Sequence, residues 1–157
     1  MKNIFKLIAS ILMCQAAGIA GSFFTTKSVD TWYAGINKPV FTPPDWVFAP
    51  VWSILYILMG ISLFLIWRKG LGSGDAKSAF FIFIFQLLLN SLWSFAFFGL
   101  RSPLAGLIVI LILWLAILWT IISFRKISLP AALLLIPYTI WVSFATLLNW
   151  AIFLLNR

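Results

Sequence analysis

Histidine and glutamate are missing from this 157-residue chain, and its three acidic side chains, Asp30, Asp45 and Asp75, all fall in polar connecting stretches. Without histidine there is no His-liganded zinc or haem and no Ser-His-Asp triad. With no carboxylate inside an apolar run, a membrane-buried proton relay and an acidic cation filter both lack their ionisable groups. The single cysteine, Cys14, excludes an intrachain disulfide and leaves the redox compartment unread. No metal site and no required cofactor are expected. The shortage of acids leaves a net charge of +8 from 11 Lys and Arg. In a soluble protein that balance would suggest nucleic acid. Here the cations flank apolar runs, where lipid headgroups and orientation account for them, so membrane lipids are the expected partner and nucleic acid is not.

What is present is apolar. Hydrophobic residues make up 64% of the chain, charged residues 9%, and the mean hydropathy is +1.12. That composition belongs to an all-α integral membrane protein, here one domain over 1–157. The charge-free runs predict five transmembrane helices at about 4–26, 47–67, 78–100, 103–124 and 129–156. The second run, Val47 to Trp67, has 21 residues, about 31 Å of helix at the usual rise. The first resembles a signal peptide at its basic start, but its apolar run is longer than a usual signal core, and Met13 is too large for the residue before a lipidated cysteine. Pro103 opens the fourth helix at its first position, and Pro137 predicts a kink in the fifth. On the first helix Cys14, Gly18, Gly21 and Thr25 form a stripe of small residues, suited either to packing inside the bundle or to a dimer contact.

Between the first two helices, about residues 27–46, the chain is polar and aromatic. Trp32, Tyr33, Phe41 and Trp46 alternate with Gly35, Pro39, Pro43 and Pro44, too restricted for a floppy linker and too interrupted for one continuous helix. We expect a structured lid, with Trp32, Pro39, Pro43, Pro44 and Trp46 as its framework, closing one end of the bundle. Seven cations (Lys2, Lys6, Arg68, Lys69, Lys77, Arg125, Lys126) lie on the side of the N-terminus and four (Lys27, Lys38, Arg101, Arg157) on the side of the lid. By the positive-inside rule the N-terminus is cytoplasmic and the lid faces outward.

Three helices carry faces of aromatics with a polar handle. Trp52, Tyr56 and Gly60 share one on the second helix, Gln86, Asn90, Trp93 and Phe97 one on the third, and Tyr138, Trp141, Ala145 and Asn149 one on the fifth. A side-chain amide is costly in hydrocarbon, so Gln86, Asn90 and Asn149 must face inward, either as bonds between helices or as ligand contacts. The fourth helix has few polar-capable groups and reads as a lipid-facing scaffold. Helices two, three and five, with the first packed beside them, would then enclose an apolar, tryptophan-rich pocket suited to a flat hydrophobic ligand.

The spacing W-Y-x-x-x-x-K-P-x-F-x-P-P-x-x-x-F-x-P-x-W-x-x-L-Y-x-x-M-G from Trp32 to Gly60 resembles the signature of the translocator protein family, also called TspO/MBR or peripheral benzodiazepine receptors. Two further blocks agree: Gln86 to Ser94 with Phe97 and Phe98, and Pro137 to Trp141 with Ala145 to Asn149. The resemblance implies a five-helix bundle, usually a homodimer, that binds porphyrins, and in some members sterols or benzodiazepine-type ligands, under the first loop. The positions matching that site are Tyr33, Trp52, Tyr56, Asn90, Trp93, Phe97, Tyr138, Trp141, Ala145 and Asn149. It further implies that some bacterial members degrade protoporphyrin in light, which makes Trp52 and Trp141 the candidate reactive residues. The sterol pattern of animal members wants tyrosine near the end of the fifth helix, where this chain has Phe153 between Leu148 and Arg157. That departure points to a bacterial-type member in the cell membrane with a tetrapyrrole as ligand. Three classes stay open: a porphyrin-binding receptor or transporter, a light- and oxygen-dependent porphyrin-degrading enzyme, and a regulatory protein whose pocket holds lipid or sterol.

Overall fold

Each charge-free run becomes a helix long and apolar enough to cross a membrane, five in all, in a computed structural model that describes residues 2–157. Helix α1 is Lys2–Ser28, α2 Phe48–Arg68, α3 Gly74–Ser94 and α4 Pro103–Ile127; the fifth span is split into α5, Leu129–Leu133, and α6, Ile136–Leu155. The ends follow local chemistry. Ser73 and Ser102 cap α3 and α4 by accepting from the backbone N–H of Ala76 and Ala105, each at 3.2 Å. Gly70, at φ 94°, supplies the left-handed residue just past α2. The break at Leu134–Leu135 falls ahead of Pro137, which cannot donate back along a continuous helix. Lys6 and Lys69 donate to the carbonyls of Trp67 and Ile127, holding cations at helix C-termini.

The spans form a ring in which α1 packs on α2 and α3, α3 on α4, α4 on α6, and α5 on α2 and α4. Leu104, Ile108, Leu111, Leu115 and Ile122 of α4 lie exposed, the lipid-facing share expected of a scaffold helix. Its other face is closed against the bundle, with Phe83 and Phe124 stacked at 5.7 Å and the Trp114 N–H donating to Ser143 Oγ at 2.8 Å. The small-residue stripe of α1 packs inside the bundle: Cys14 and Gly21 are buried, and a Cβ at Gly18 would stand 2.4 Å from the Tyr56 ring.

Two features of the loop region correct the reading from sequence. First, α1 does not stop near residue 26. It runs on through a wider π-helical turn, Val29–Tyr33, and stays helical to Gly35. Its polar stretch satisfies itself along the helix: Thr26 and Thr31 donate to the carbonyls of Ser22 and Lys27. The extra residue in that turn swings Tyr33 inward to 3% exposure, against Phe97 and Phe98. Second, the remaining irregular segment reaches toward the fifth span. Asn37 N–H donates to Asn156 Oδ1 at 3.0 Å while Asn156 Nδ2 donates to the Asn37 carbonyl at 2.8 Å, and Phe41 packs on Phe144 at 6.4 Å. The segment is therefore a strap between α1 and the end of α6.

Candidate ligand-binding site

Gly60 sets the geometry of the site, because a Cβ there would come within 2.6 Å of the Ile11 Cα. Only a residue without a side chain lets α1 and α2 approach so closely at that level. Further along, Gln15 Nε2 still bridges to the Ser53 carbonyl at 3.2 Å. Beyond that bridge, toward the strap, the two helices bound a cavity of about 350 Å³ floored by α3. That volume lies at the lower end of the range for small-molecule sites.

Its wall is aromatic. Trp52 stacks on Tyr56 at 5.5 Å and stands 6.4 Å from Trp93, with Phe48 and Phe98 completing the apolar surface. Its polar end is held rigidly. The Tyr56 hydroxyl donates to Asn90 Oδ1, Asn90 Nδ2 donates to the Tyr138 hydroxyl at 2.9 Å, and that hydroxyl donates to Gln86 Oε1 at 2.9 Å. A second chain runs behind Trp93, whose N–H donates to Asn149 Oδ1 at 3.1 Å while Asn149 Nδ2 donates to the Pro103 carbonyl at 2.8 Å. Buried amides so paired tie α2, α3, α4 and α6 together. Gln86, Asn90 and Asn149 thus face inward as their cost in hydrocarbon requires, and all three bond between elements; Asn90 alone of them also borders the cavity.

Of the positions expected to contact ligand, Tyr33, Trp52, Tyr56, Asn90 and Trp93 line this cavity. Phe97, Tyr138, Trp141, Ala145 and Asn149 do not. Phe97 stacks behind Trp93 at 5.8 Å, Tyr138 and Asn149 bond the lining residues from behind, and Ala145 is buried in packing. Trp141 packs at 5.9 Å from Phe48 and 5.6 Å from Phe144, its buried N–H without a partner among the described residues. The cavity is accordingly bounded by α1, α2 and α3, and the fifth span, expected to form a wall, lies one layer back. Nor do Trp32, Pro39, Pro43, Pro44 and Trp46 line it: Trp32 packs on Phe97 at 5.5 Å and Trp46 is 75% exposed, and of that segment Asp45 reaches the cavity. The residues that sequence reasoning missed include Gln15, Ile19, Ser22 and Thr26 of α1 and Val29 just past it, Phe48 and Ala49 of α2, Ser94 and Phe98 at the end of the third span, and Asp45 at the mouth. Two members of the small-residue stripe on α1, Gly18 and Thr25, also line the cavity and were the signal nearest to them.

The model of the TspO/MBR family matches residues 10–155. The chain belongs to the TspO/MBR family. It is 53% identical over 155 residues to the tryptophan-rich protein TspO of Archaeoglobus fulgidus, covering 98% of this chain and 99% of that one. The tryptophan-rich sensory protein of Cereibacter sphaeroides is 36% identical over 143 residues, 91% of this chain and 86% of its own. The human translocator protein is 37% identical over 134 residues, 84% and 79% respectively. Membership and five apolar spans together make this an integral membrane protein of the translocator and tryptophan-rich sensory kind. The cavity offers what stacking and hydrogen bonding can do: aromatic planes, a fixed phenol–amide end, serine and threonine hydroxyls along α1 and α2, and Asp45 at the mouth.

Proposed function

We propose that this protein is a membrane receptor that binds porphyrins or similar flat hydrophobic rings in the α1–α2–α3 cavity, in order to move or sense them. The observation that carries the reading is the wall of Trp52, Tyr56 and Trp93 around one apolar space with a preset polar end. Planar aromatic ligands gain both burial and stacking there, and an end already hydrogen-bonded within the protein loses little freedom on binding. A cytoplasmic N-terminus, an outward strap and a homodimer are part of the same proposal. Titration with protoporphyrin followed by tryptophan fluorescence tests it: saturable quenching that Trp52→Ala weakens supports the reading, and quenching that never saturates overturns it.

A second reading has one observation in its favour. Trp52 stands in the cavity wall beside Tyr56 and Trp93, so a bound ring excited by light would have an oxidisable indole next to it. On that reading the protein degrades the porphyrin with oxygen, and Trp52, not Trp141, is the reactive residue. Illuminating the loaded protein in air separates the two: a new absorbing product that Trp52→Phe suppresses favours breakdown, and unchanged porphyrin favours binding alone.

A further inference from the structure

The edge of the cavity away from α3 is formed by residues that face outward. Ile19 is 70% exposed, and Ser22 and Thr26 on α1 and Ala49 and Ser53 on α2 are exposed as well, although all five line the cavity. Both helices are membrane spans, so this edge opens onto lipid. The Gly60–Ile11 contact and the Gln15–Ser53 bridge close one end of this edge, and beyond them the short side chains of Ser22, Ala49 and Ser53 leave it open. The hydroxyls on the rim cost little there, since Ser22, Thr26 and Ser53 donate to the carbonyls of Ile19, Ser22 and Ala49 on their own helices. The strap meanwhile is tied to Asn156 and Phe144 on the other side of the bundle.

We propose that the slot between α1 and α2 is a lateral portal, through which a flat hydrophobic ligand already dissolved in the bilayer enters and leaves while the strap stays in place. The portal takes the class of molecule that partitions into lipid, and a substituent on the ring can remain in the acyl region while the ring is bound.

This rests on the functional reading above, and the experiment separates them. Ser22→Cys puts a thiol on the rim, where a bulky maleimide reaches it after folding, and the native Cys14 is fully buried. Protein in phosphatidylcholine vesicles is loaded with protoporphyrin, labelled, and mixed with excess empty vesicles while tryptophan fluorescence recovers. The portal predicts that labelling slows escape about tenfold or more, and that labelling a Leu12→Cys control, exposed on α1 outside the cavity, leaves it unchanged. A label that merely filled the cavity would speed escape instead. Release at the unlabelled rate, with faster release from Asn156→Ala, overturns the portal and returns the gate to the strap. Failure of the unlabelled protein to bind the porphyrin at all overturns the functional reading and the portal together.

Discussion

Helices α2 and α6 carry the same kind of inward face, Trp52 with Tyr56 on one and Tyr138 with Trp141 on the other, yet only the first pair lines the cavity. The difference lies in what stands opposite. In front of α6, Gly106 of α4 has its missing Cβ position taken up by Phe97 and by Asn149 Oδ1, at 2.7 and 2.9 Å, and Trp141 is packed between Phe48 and Phe144. In front of α2, Gly60 admits the α1 backbone at Ile11 and Gly18 makes room for the Tyr56 ring, and the cavity opens beside that contact. A stripe of aromatics with polar handles therefore identifies the inward face of a helix, while the positions of glycines on its neighbour decide whether that face meets a contact or a cavity.

The largest effect should come from cutting the link between the two sides. Asn90→Leu leaves the Tyr56 hydroxyl without its acceptor and Tyr138 without its donor. At about 1–3 kcal/mol for each orphaned buried group, thermal unfolding in detergent should shift strongly downward and ligand binding should weaken with it. An unchanged melting curve would show that the amide chain does not hold the bundle.

Next come two substitutions of the same chemistry on opposite sides. Gly106→Ala and Gly18→Ala each place a methyl group inside contact distance, of Phe97 in one case and of the Tyr56 ring in the other. Each should cost about 1–3 kcal/mol of stability through overpacking. They should differ in function: Gly18→Ala displaces the cavity wall and reduces porphyrin binding, whereas Gly106→Ala retains it in the protein that remains folded. Equal losses of binding would dissolve the distinction between the sides.

Smaller still is the contrast between tryptophans. Trp52→Phe removes part of a stacking surface and should weaken binding by about 1 kcal/mol. Trp141→Phe, whose indole N–H has no partner among the described residues, should leave affinity and stability close to those of the native protein. A larger loss of affinity at Trp141 would move the site to α6. The smallest effect is expected at the strap, where Asn156→Ala removes the reciprocal pair with Asn37 at a cost of about 1 kcal/mol. Residues 36–44 should become more open to protease, with affinity unchanged; a fall in affinity would make the strap part of the site.

Much of this fold was legible because lipid imposes simple rules. Runs without charge mark the spans, Pro137 marks the break, and unpaired amides cannot face hydrocarbon, so Gln86, Asn90 and Asn149 announce the interior. The course of α1 beyond Thr26 was not legible. Its Lys, Ser, Asp and Thr residues look like a loop, but the backbone stays helical through the π-helical turn at Val29–Tyr33, with the Thr26 and Thr31 hydroxyls folded back onto the preceding turn. The site was half legible for a related reason. Helical spacing places Trp52 and Trp141 on inward faces alike, but which face meets empty space depends on helix approach, and that is fixed by Gly18, Gly60 and Gly106 acting between helices.

The central claim, that the ligand space adjoins Trp52 and not Trp141, can be tested on the native sequence. Both indoles are half-buried, so exposure alone favours neither. Protoporphyrin bound at one equivalent and illuminated in air produces reactive oxygen at its own position, and peptide mass spectrometry reads which tryptophan is oxidised first. The account predicts early oxidation of Trp52 and Trp93 with Trp141 spared. Oxidation of Trp141 ahead of Trp52 would contradict it.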